Sequence, residues 1–258
     1  MMSQTESETK PSVVVVIPIY KVSLTETEKR SLRQCMRVLS AYPIRLLTPE
    51  GLPVGTILAE YPHLECITFE KTYFESIAGY NSLLTSADFY RAFSAYDFML
   101  IYQLDAFVFE DRLAEWCAAG FDYIGAPSLH HPTYDALEET QAQDFAQALN
   151  SHRVVLNGGL SLRRISAMIR YLKIYALFYP VWRGNEDMLF SQEATRLLPM
   201  KVFLKTPKWK QALSFAFEKS PAASYSLTQR RLPFGCHAWE RYDYAFWKPL
   251  MAASEAGL

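Results

Sequence analysis

Five consecutive β-branched residues, Val13-Val14-Val15-Val16-Ile17, followed at once by Pro18, restrict this chain more than any other stretch. A run with no polar face fits a strand covered on both sides, as in the inner strands of a parallel sheet. Pro18 brings no amide hydrogen and limits its continuation there. Phe98-Met99-Leu100-Ile101-Tyr102 repeats the pattern and runs straight into Gln103-Leu104-Asp105. In open α/β sheets ligands gather outside the carboxyl ends of the strands, so Asp105 stands where chemistry is usually placed.

The stretches around these strands alternate in the same sense. Ser23 as a cap with Glu26 three residues on, then Leu32, Cys35/Met36 and Leu39, predicts a helix over 23–39. Ile44–Thr48 and Glu65–Phe69 read as strands and Tyr80–Phe93 as a helix. Beyond Arg112 the alternation loosens into a short helix to Ala119, a strand Tyr123–Ala126 and a polar region from His130 to Ser151. A strand Val154–Leu162 and a long helix Arg164–Tyr179 follow. The expectation is a single α/β domain over 13–250, with a mixed, largely parallel central sheet flanked by helices. Residues 1–12 form a polar tail too poor in apolar side chains to pack.

Charge and composition narrow the function. Lys+Arg 26 against Asp+Glu 27 gives a formal charge of -1, so nucleic acid is not an expected partner. No apolar run reaches the roughly 20 residues of a bilayer span, and the start MMSQTESETKPS is too polar for a secretory signal. A cytoplasmic protein is expected, with Cys35, Cys66, Cys117 and Cys236 as reduced thiols. No glycine-rich phosphate loop or dinucleotide fingerprint occurs, and Gly159-Leu160-Ser161-Leu162-Arg163 lacks the second glycine of a nucleophile elbow. Kinase, dehydrogenase and serine hydrolase readings therefore fall away.

Four segments in order carry a more specific signal: Tyr102-Gln103-Leu104-Asp105-Ala106-Phe107, Asn157-Gly158-Gly159-Leu160-Ser161-Leu162-Arg163, Asn185-Glu186-Asp187-Met188-Leu189-Phe190 and Phe234-Gly235-Cys236-His237-Ala238-Trp239. Together they resemble the nucleotide-sugar glycosyltransferases of the GT-A type, and more narrowly the uncharacterised glycosyltransferase-like family DUF5672, over residues 13 to 245. The resemblance implies a Rossmann-like GT-A fold and transfer of a hexose from a UDP-sugar to a hydroxyl of a glycan or lipid-linked glycan. It also implies inversion at the anomeric carbon, a role in bacterial surface polysaccharide synthesis, and Mn²⁺ or Mg²⁺ on the diphosphate. A nucleotide-sugar or glycan-binding module that kept the fold and lost catalysis is the alternative; the absence of a second aspartate beside Asp105, where Gln103 and Phe107 stand, favours it.

The resemblance assigns roles residue by residue, and each has a plainer reading beside it. Asp105 and His237 would hold the cation; otherwise Asp105 caps a turn and His237 is a hydrogen-bonded core residue. Asp187 would take the proton of the acceptor hydroxyl, with Glu186 holding the acceptor or substituting as base; otherwise the pair caps a helix. Ile17, Pro18 and Tyr20 would meet the nucleobase and ribose, and Gln103, Leu104, Asn157, Gly158 and Gly159 the donor sugar and acceptor; a tight turn alone explains the glycines. Residues 201–231 hold seven cations against Glu218 alone, so Lys205 could reach the leaving diphosphate. In Lys208–Phe217 the helical spacing of Trp209, Leu213 and Ala216/Phe217 suits peripheral contact with an anionic membrane's inner face, or equally a core helix with a solvated basic side.

Overall fold

The structure, a computed structural model, describes residues 11–132, 135–150 and 153–257. Residues 1–10 of the expected tail lie outside them, as do 133–134 and 151 of the polar region and residue 152 after it. Ser12 is already anchored, its amide and hydroxyl donating to Asp97 Oδ2 at 2.9 and 3.0 Å.

The strands are β1 (Val13–Pro18), β2 (Ile44–Pro49), β3 (Glu65–Phe69), β4 (Phe98–Tyr102), β5 (Ala106–Val108), β6 (Tyr123–Pro127), β7 (Leu156–Arg164), β8 (Ala216–Phe217) and β9 (Gly235–His237). Six form one sheet in the order β3-β2-β1-β4-β7-β6, parallel from β3 to β4 and antiparallel at β4–β7 and β7–β6. This is the expected mixed, largely parallel sheet.

The β-branched run works as its composition requires. Val13, Val15 and Ile17 enter one apolar cluster and Val14 and Val16 the other, while β4 divides Phe98, Leu100 and Tyr102 from Met99 and Ile101 in the same way. Helix Glu26–Val38 covers the first face, and helices Ala87–Arg91 and Ile165–Phe178 cover the second. Burying each such side chain contributes about 1.5–3 kcal/mol.

Local signals shift some boundaries. The first helix starts with Thr25 as cap and Glu28 closing the box, two residues after the Ser23/Glu26 pair of identical spacing. The expected helix Tyr80–Phe93 is two, Ile77–Leu84 and Ala87–Arg91, because Thr85 ends the first and the Ser86 side chain caps the second. The polar region contains a helix, Glu139–Asn150.

A second sheet, β5-β9-β8, was not foreseen. Its first strand hangs on the first helix: Ser31 Oγ donates to the Ala106 carbonyl and Gln34 Nε2 to that of Val108, both at 2.6 Å. In its ladder Ala106 pairs with His237, which sets Asp105 against the imidazole. Phe107, Trp209, Leu213, Phe217, Trp239 and Trp247 pack beneath it. The last helix, Tyr244–Glu255, passes the expected limit at 250 and buries Met251. Among the described residues no helix is long and apolar enough to cross a membrane.

Candidate active site

A cleft of about 720 Å³ opens beyond the carboxyl ends of β1 and β4. Pro18, Tyr20, Gln103, Leu104, Asp105, Asn157, Gly158, Gly159, Glu186 and Asp187 all line it. Ile17 does not: its side chain is wholly buried in the core, which removes it from the expected group of Ile17, Pro18 and Tyr20. Tyr20 is exposed and free to stack on a flat ligand.

Asp105 lines the cleft and meets His237, which is buried behind it and is not itself among the lining residues. His237 Nε2 lies 3.1 Å from Asp105 Oδ1 and 3.3 Å from Gln103 Oε1, and on the other side Nδ1 lies 3.6 Å from Glu218 Oε1. Burial pulls the His237 pKa down, but Asp105 and Glu218 push it up to about 10. Burial raises the Asp105 carboxyl, and the imidazolium outweighs it, so its pKa falls below the ordinary value. Asn157 spends its amide inside the network, donating to Glu218 Oε1 at 3.0 Å and accepting from the Gly159 amide at 2.7 Å.

Glu186 and Asp187, adjacent in sequence, have different surroundings. Glu186 is buried and bonded at 2.6 Å to Arg163, itself fully buried. Arg163 also donates to Tyr90 Oη at 2.9 Å and Ser161 Oγ at 3.0 Å, and Asn81 Oδ1 accepts from the Glu186 amide at 2.9 Å. Glu186 is thereby corrected from a substitute base to a carboxylate locked in an ion pair. Asp187 keeps a buried Oδ1 with no hydrogen-bond partner. Burial, then the charges of Glu186 and Glu218, push its pKa up to about 7, against the pull of the Met188 amide and Arg163.

The glycines serve the protein's own side chains. A Cβ at Gly158 would fall 2.0 Å from Glu186 Oε1, and one at Gly159 2.0 Å from His237 Nε2. Neither has a positive φ, so close packing of the two functional groups, and not turn geometry, requires them.

Two basic features lie elsewhere. The Lys205 carbonyl accepts from the Asp122 amide and its own amide donates to Asp122 Oδ2, just before β6 and by the amino end of β4, and its ammonium sits over Phe121. That is the opposite end of the sheet from the cleft, so Lys205 is removed from the site. Trp209 and Leu213 of helix Trp209–Phe215, and Phe217 of β8 beyond it, are buried in the core, so this stretch is no membrane face.

A divalent cation fits the remaining set provided that it displaces the proton of the His237 imidazolium, since a ligating imidazole is neutral. Among the described residues no group of three or more His, Cys, Asp or Glu could hold a metal by itself. Cations of the Mg²⁺ kind commonly take one or two protein ligands and complete their shell with substrate phosphates. Right-angled ligands about 2.1 Å from such a cation stand about 3 Å apart, the separation of the Asp105 and His237 atoms at 3.1 Å. Glu218 Oε1 stands 3.6 Å behind Nδ1, on the side from which second carboxylates orient ligating histidines, without a hydrogen bond at that distance. The buried, unpartnered atoms Asp187 Oδ1, Glu218 Oε2, His237 Nδ1 and Tyr80 Oη cost about 1–3 kcal/mol each unless a polar ligand or water reaches them.

Glu218, Arg163 and Lys21 were missed in the sequence. Glu218 had one signal, being the lone acid in a basic stretch. Lys21, paired with Glu28 at 2.8 Å, is the one Lys or Arg lining the cleft among the described residues.

Residues 63–237 match the family described as "Protein of unknown function (DUF5672)". The apo form of mouse xyloside xylosyltransferase 1 is similar in structure, with 10% identity, a TM-score of 0.52, and coverage of 88% of this chain and 98% of that one. The galactosyltransferase LgtC, solved with donor and acceptor sugar analogues, is similar with 12% identity, a TM-score of 0.52, and coverage of 93% and 95%. No curated protein matches. At these identities the likeness is one of fold, the GT-A architecture.

Proposed function

Since the chain belongs to the DUF5672 family and has the GT-A fold, we propose that it is a glycosyltransferase, moving a hexose from a UDP-sugar to a hydroxyl of a glycan or lipid-linked glycan in surface polysaccharide synthesis. The observation that carries this reading is the contact of Asp105 with the buried His237 at 3.1 Å, at a cleft that Asp105 lines together with Asp187 and its unpartnered Oδ1. Both solved relatives are named as glycosyltransferases, which supports the reaction class.

Electrostatics favour a donor that arrives with a cation. Glu28, Glu75, Asp105, Glu186, Asp187 and Glu240 line the cleft against Lys21 alone. A diphosphate would be repelled by such a surface unless positive charge accompanies it. Asp105 and His237 would hold Mn²⁺ or Mg²⁺, which supplies neutralisation of charge on the departing diphosphate. Lys21 takes the place first given to Lys205, reaching the diphosphate as its bond with Glu28 is exchanged. Tyr20 stacks on the uracil, and Pro18, Gln103 and Leu104 complete the donor side.

Asp187 acts as the base. A carboxyl with a pKa of about 7 accepts a proton efficiently near neutral pH. Arg163 holds Glu186 in its ion pair, which leaves Asp187, whose buried Oδ1 has no partner, to serve the acceptor hydroxyl by direct displacement. Direct displacement with inversion follows, and a product of unchanged anomeric configuration would refute it.

Thermal unfolding with UDP, with and without Mn²⁺ and a chelator, tests the reading. Stabilisation by UDP that requires the cation supports it; indifference to both overturns it. The binding-module alternative rests on Gln103, a neutral amide beside Asp105 where a second acid is usual. Slow release of UDP from a UDP-sugar, abolished by Asp187→Asn with UDP binding intact, decides for the enzyme.

A further inference from the structure

Ten large apolar side chains are exposed among the described residues, and six of them, Leu177, Phe178, Val181, Met188, Leu198 and Val202, fall within 177–202. Leu177, Val181 and Val202 are 78%, 82% and 71% exposed, which is more than incidental surface packing leaves open. The fold joins these segments into one face. Tyr179 Oη donates to the Leu198 carbonyl at 2.6 Å, and Tyr179 stacks on Tyr175 with ring centroids 5.1 Å apart. Arg170 reaches the Phe203 carbonyl at 3.5 Å, so the turn Met200–Val202 lies along helix Ile165–Phe178.

The charges on this face have one sign. Arg170, Lys173, Arg183 and Lys201 are exposed in the same segments as the apolar side chains, and no ion pair engages them among the described residues. The carboxylates of residues 165–205 are engaged elsewhere: Glu186 by Arg163, Glu193 by Arg196, and Asp187 toward the cleft. An apolar group interspersed with cations and without free acids complements an anionic bilayer surface. A two-fold dimer through the same face would set these cations against their own copies.

We propose that this face docks on an anionic phospholipid bilayer, with Leu177, Phe178, Val181, Leu198 and Val202 entering the headgroup boundary and the four cations against lipid phosphates. It is a different surface from helix Trp209–Phe215, whose apolar side is buried. The docked face leads directly into the cleft. The loop after Val181 continues to Asn185 and Asp187, and Asn81 ties Asn185, at 3.4 Å, to the helix that carries exposed Ile77 at the cleft wall. Docking therefore turns the Asp187 side of the cleft toward the membrane, where a lipid-linked acceptor would present its hydroxyl. That last point rests on the transferase reading; the docking does not, and its test needs neither nucleotide nor turnover.

The test is co-sedimentation of the full chain with vesicles of phosphatidylcholine alone or containing about a third phosphatidylglycerol. Each cation near an anionic leaflet strengthens partition about fivefold, so at least tenfold preference for the anionic vesicles is expected, weakening as salt is raised. Phe178→Asp/Val181→Asp/Val202→Asp and, separately, Lys173→Glu/Arg183→Glu/Lys201→Glu lower binding at least tenfold, while Lys208→Glu/Lys210→Glu leaves it unchanged. Unfolding midpoints check that the variants fold, and the charge variant with the salt titration decides if the apolar one does not. Absent or equal binding to the two vesicles, or wild-type binding by both variants, overturns the proposal. A lipid-free dimer in light scattering that the apolar variant dissociates overturns it too, since a second copy then covers the face.

Discussion

The imidazole of His237 meets the carboxylate of Asp105 at 3.1 Å across a strand ladder, not along the chain. The pairing of Ala106 with His237 fixes the distance, and Ser31 and Gln34 fix the ladder by taking the β5 carbonyls. The pair thus depends on the first helix as well as on the two short strands, and its geometry is set before any ligand arrives.

His237→Ala and Asp105→Asn are each expected to abolish the extra stabilisation that Mn²⁺ gives to the UDP complex. Loss of a ligand from a set with two protein groups weakens the cation at least about tenfold. The measurement is the difference in unfolding midpoint with UDP and Mn²⁺ against UDP with chelator. An undiminished difference in both variants places the cation elsewhere.

Asp187→Asn is expected to lower turnover by about 10²–10⁴ while leaving UDP binding intact. The same change affects stability with a definite sign. The folded pKa is raised from 3.8 to about 7, so the folded state binds more protons than the unfolded chain between those values. The contribution is present below the ordinary pKa and lost as pH rises through about 7. The variant should therefore gain stability relative to wild type on going from pH ~4 to ~8, by about 1–3 kcal/mol, in denaturant titrations at the two pH values. Turnover of wild type should rise across the same range as the base loses its proton.

What the sequence displayed, and what it hid, follows from the range of the interactions. Val13–Ile17 and Phe98–Tyr102 announce buried strands because burial on both faces leaves a continuous local pattern. The first helix start was displaced because Ser23/Glu26 and Thr25/Glu28 carry the same spacing, and only packing chooses between them. Asp105, His237 and Asp187 stand in motifs legible along the chain, whereas Arg163 and Glu218 gain their place from partners far along it. Lys205 was misplaced because local charge density says nothing about which end of a sheet a loop returns to.

Arg163→Met is expected to cost about 3–5 kcal/mol, because it leaves Glu186 charged, buried and unpaired. Glu186→Gln should cost less, since the neutral amide can still accept from the guanidinium. Arg163→Met/Glu186→Met should recover part of the loss. Denaturant unfolding of the three variants yields the coupling energy, and additive losses would show that the pair is not a unit.

Gly159→Ala offers the most discriminating small change in the site. The added methyl would occupy a point 2.0 Å from His237 Nε2, while Gly159 lies within β7 with ordinary backbone angles. A methyl there costs nothing in φ and ψ, so the strand can absorb it only if the imidazole moves. Displacing the ring by even a fraction of an ångström separates it from Asp105. Cation-dependent stabilisation by UDP should thus fall at least about tenfold in apparent affinity, with an overpacking cost of about 1–3 kcal/mol in the unliganded protein. Gly158→Ala provides the comparison, since its methyl would meet Glu186 Oε1 at 2.0 Å and should weaken the ion pair with Arg163 while sparing the cation response. Unfolding midpoints with UDP, with Mn²⁺ and with chelator separate the two; identical profiles would mean that the neighbouring glycines do not guard different groups.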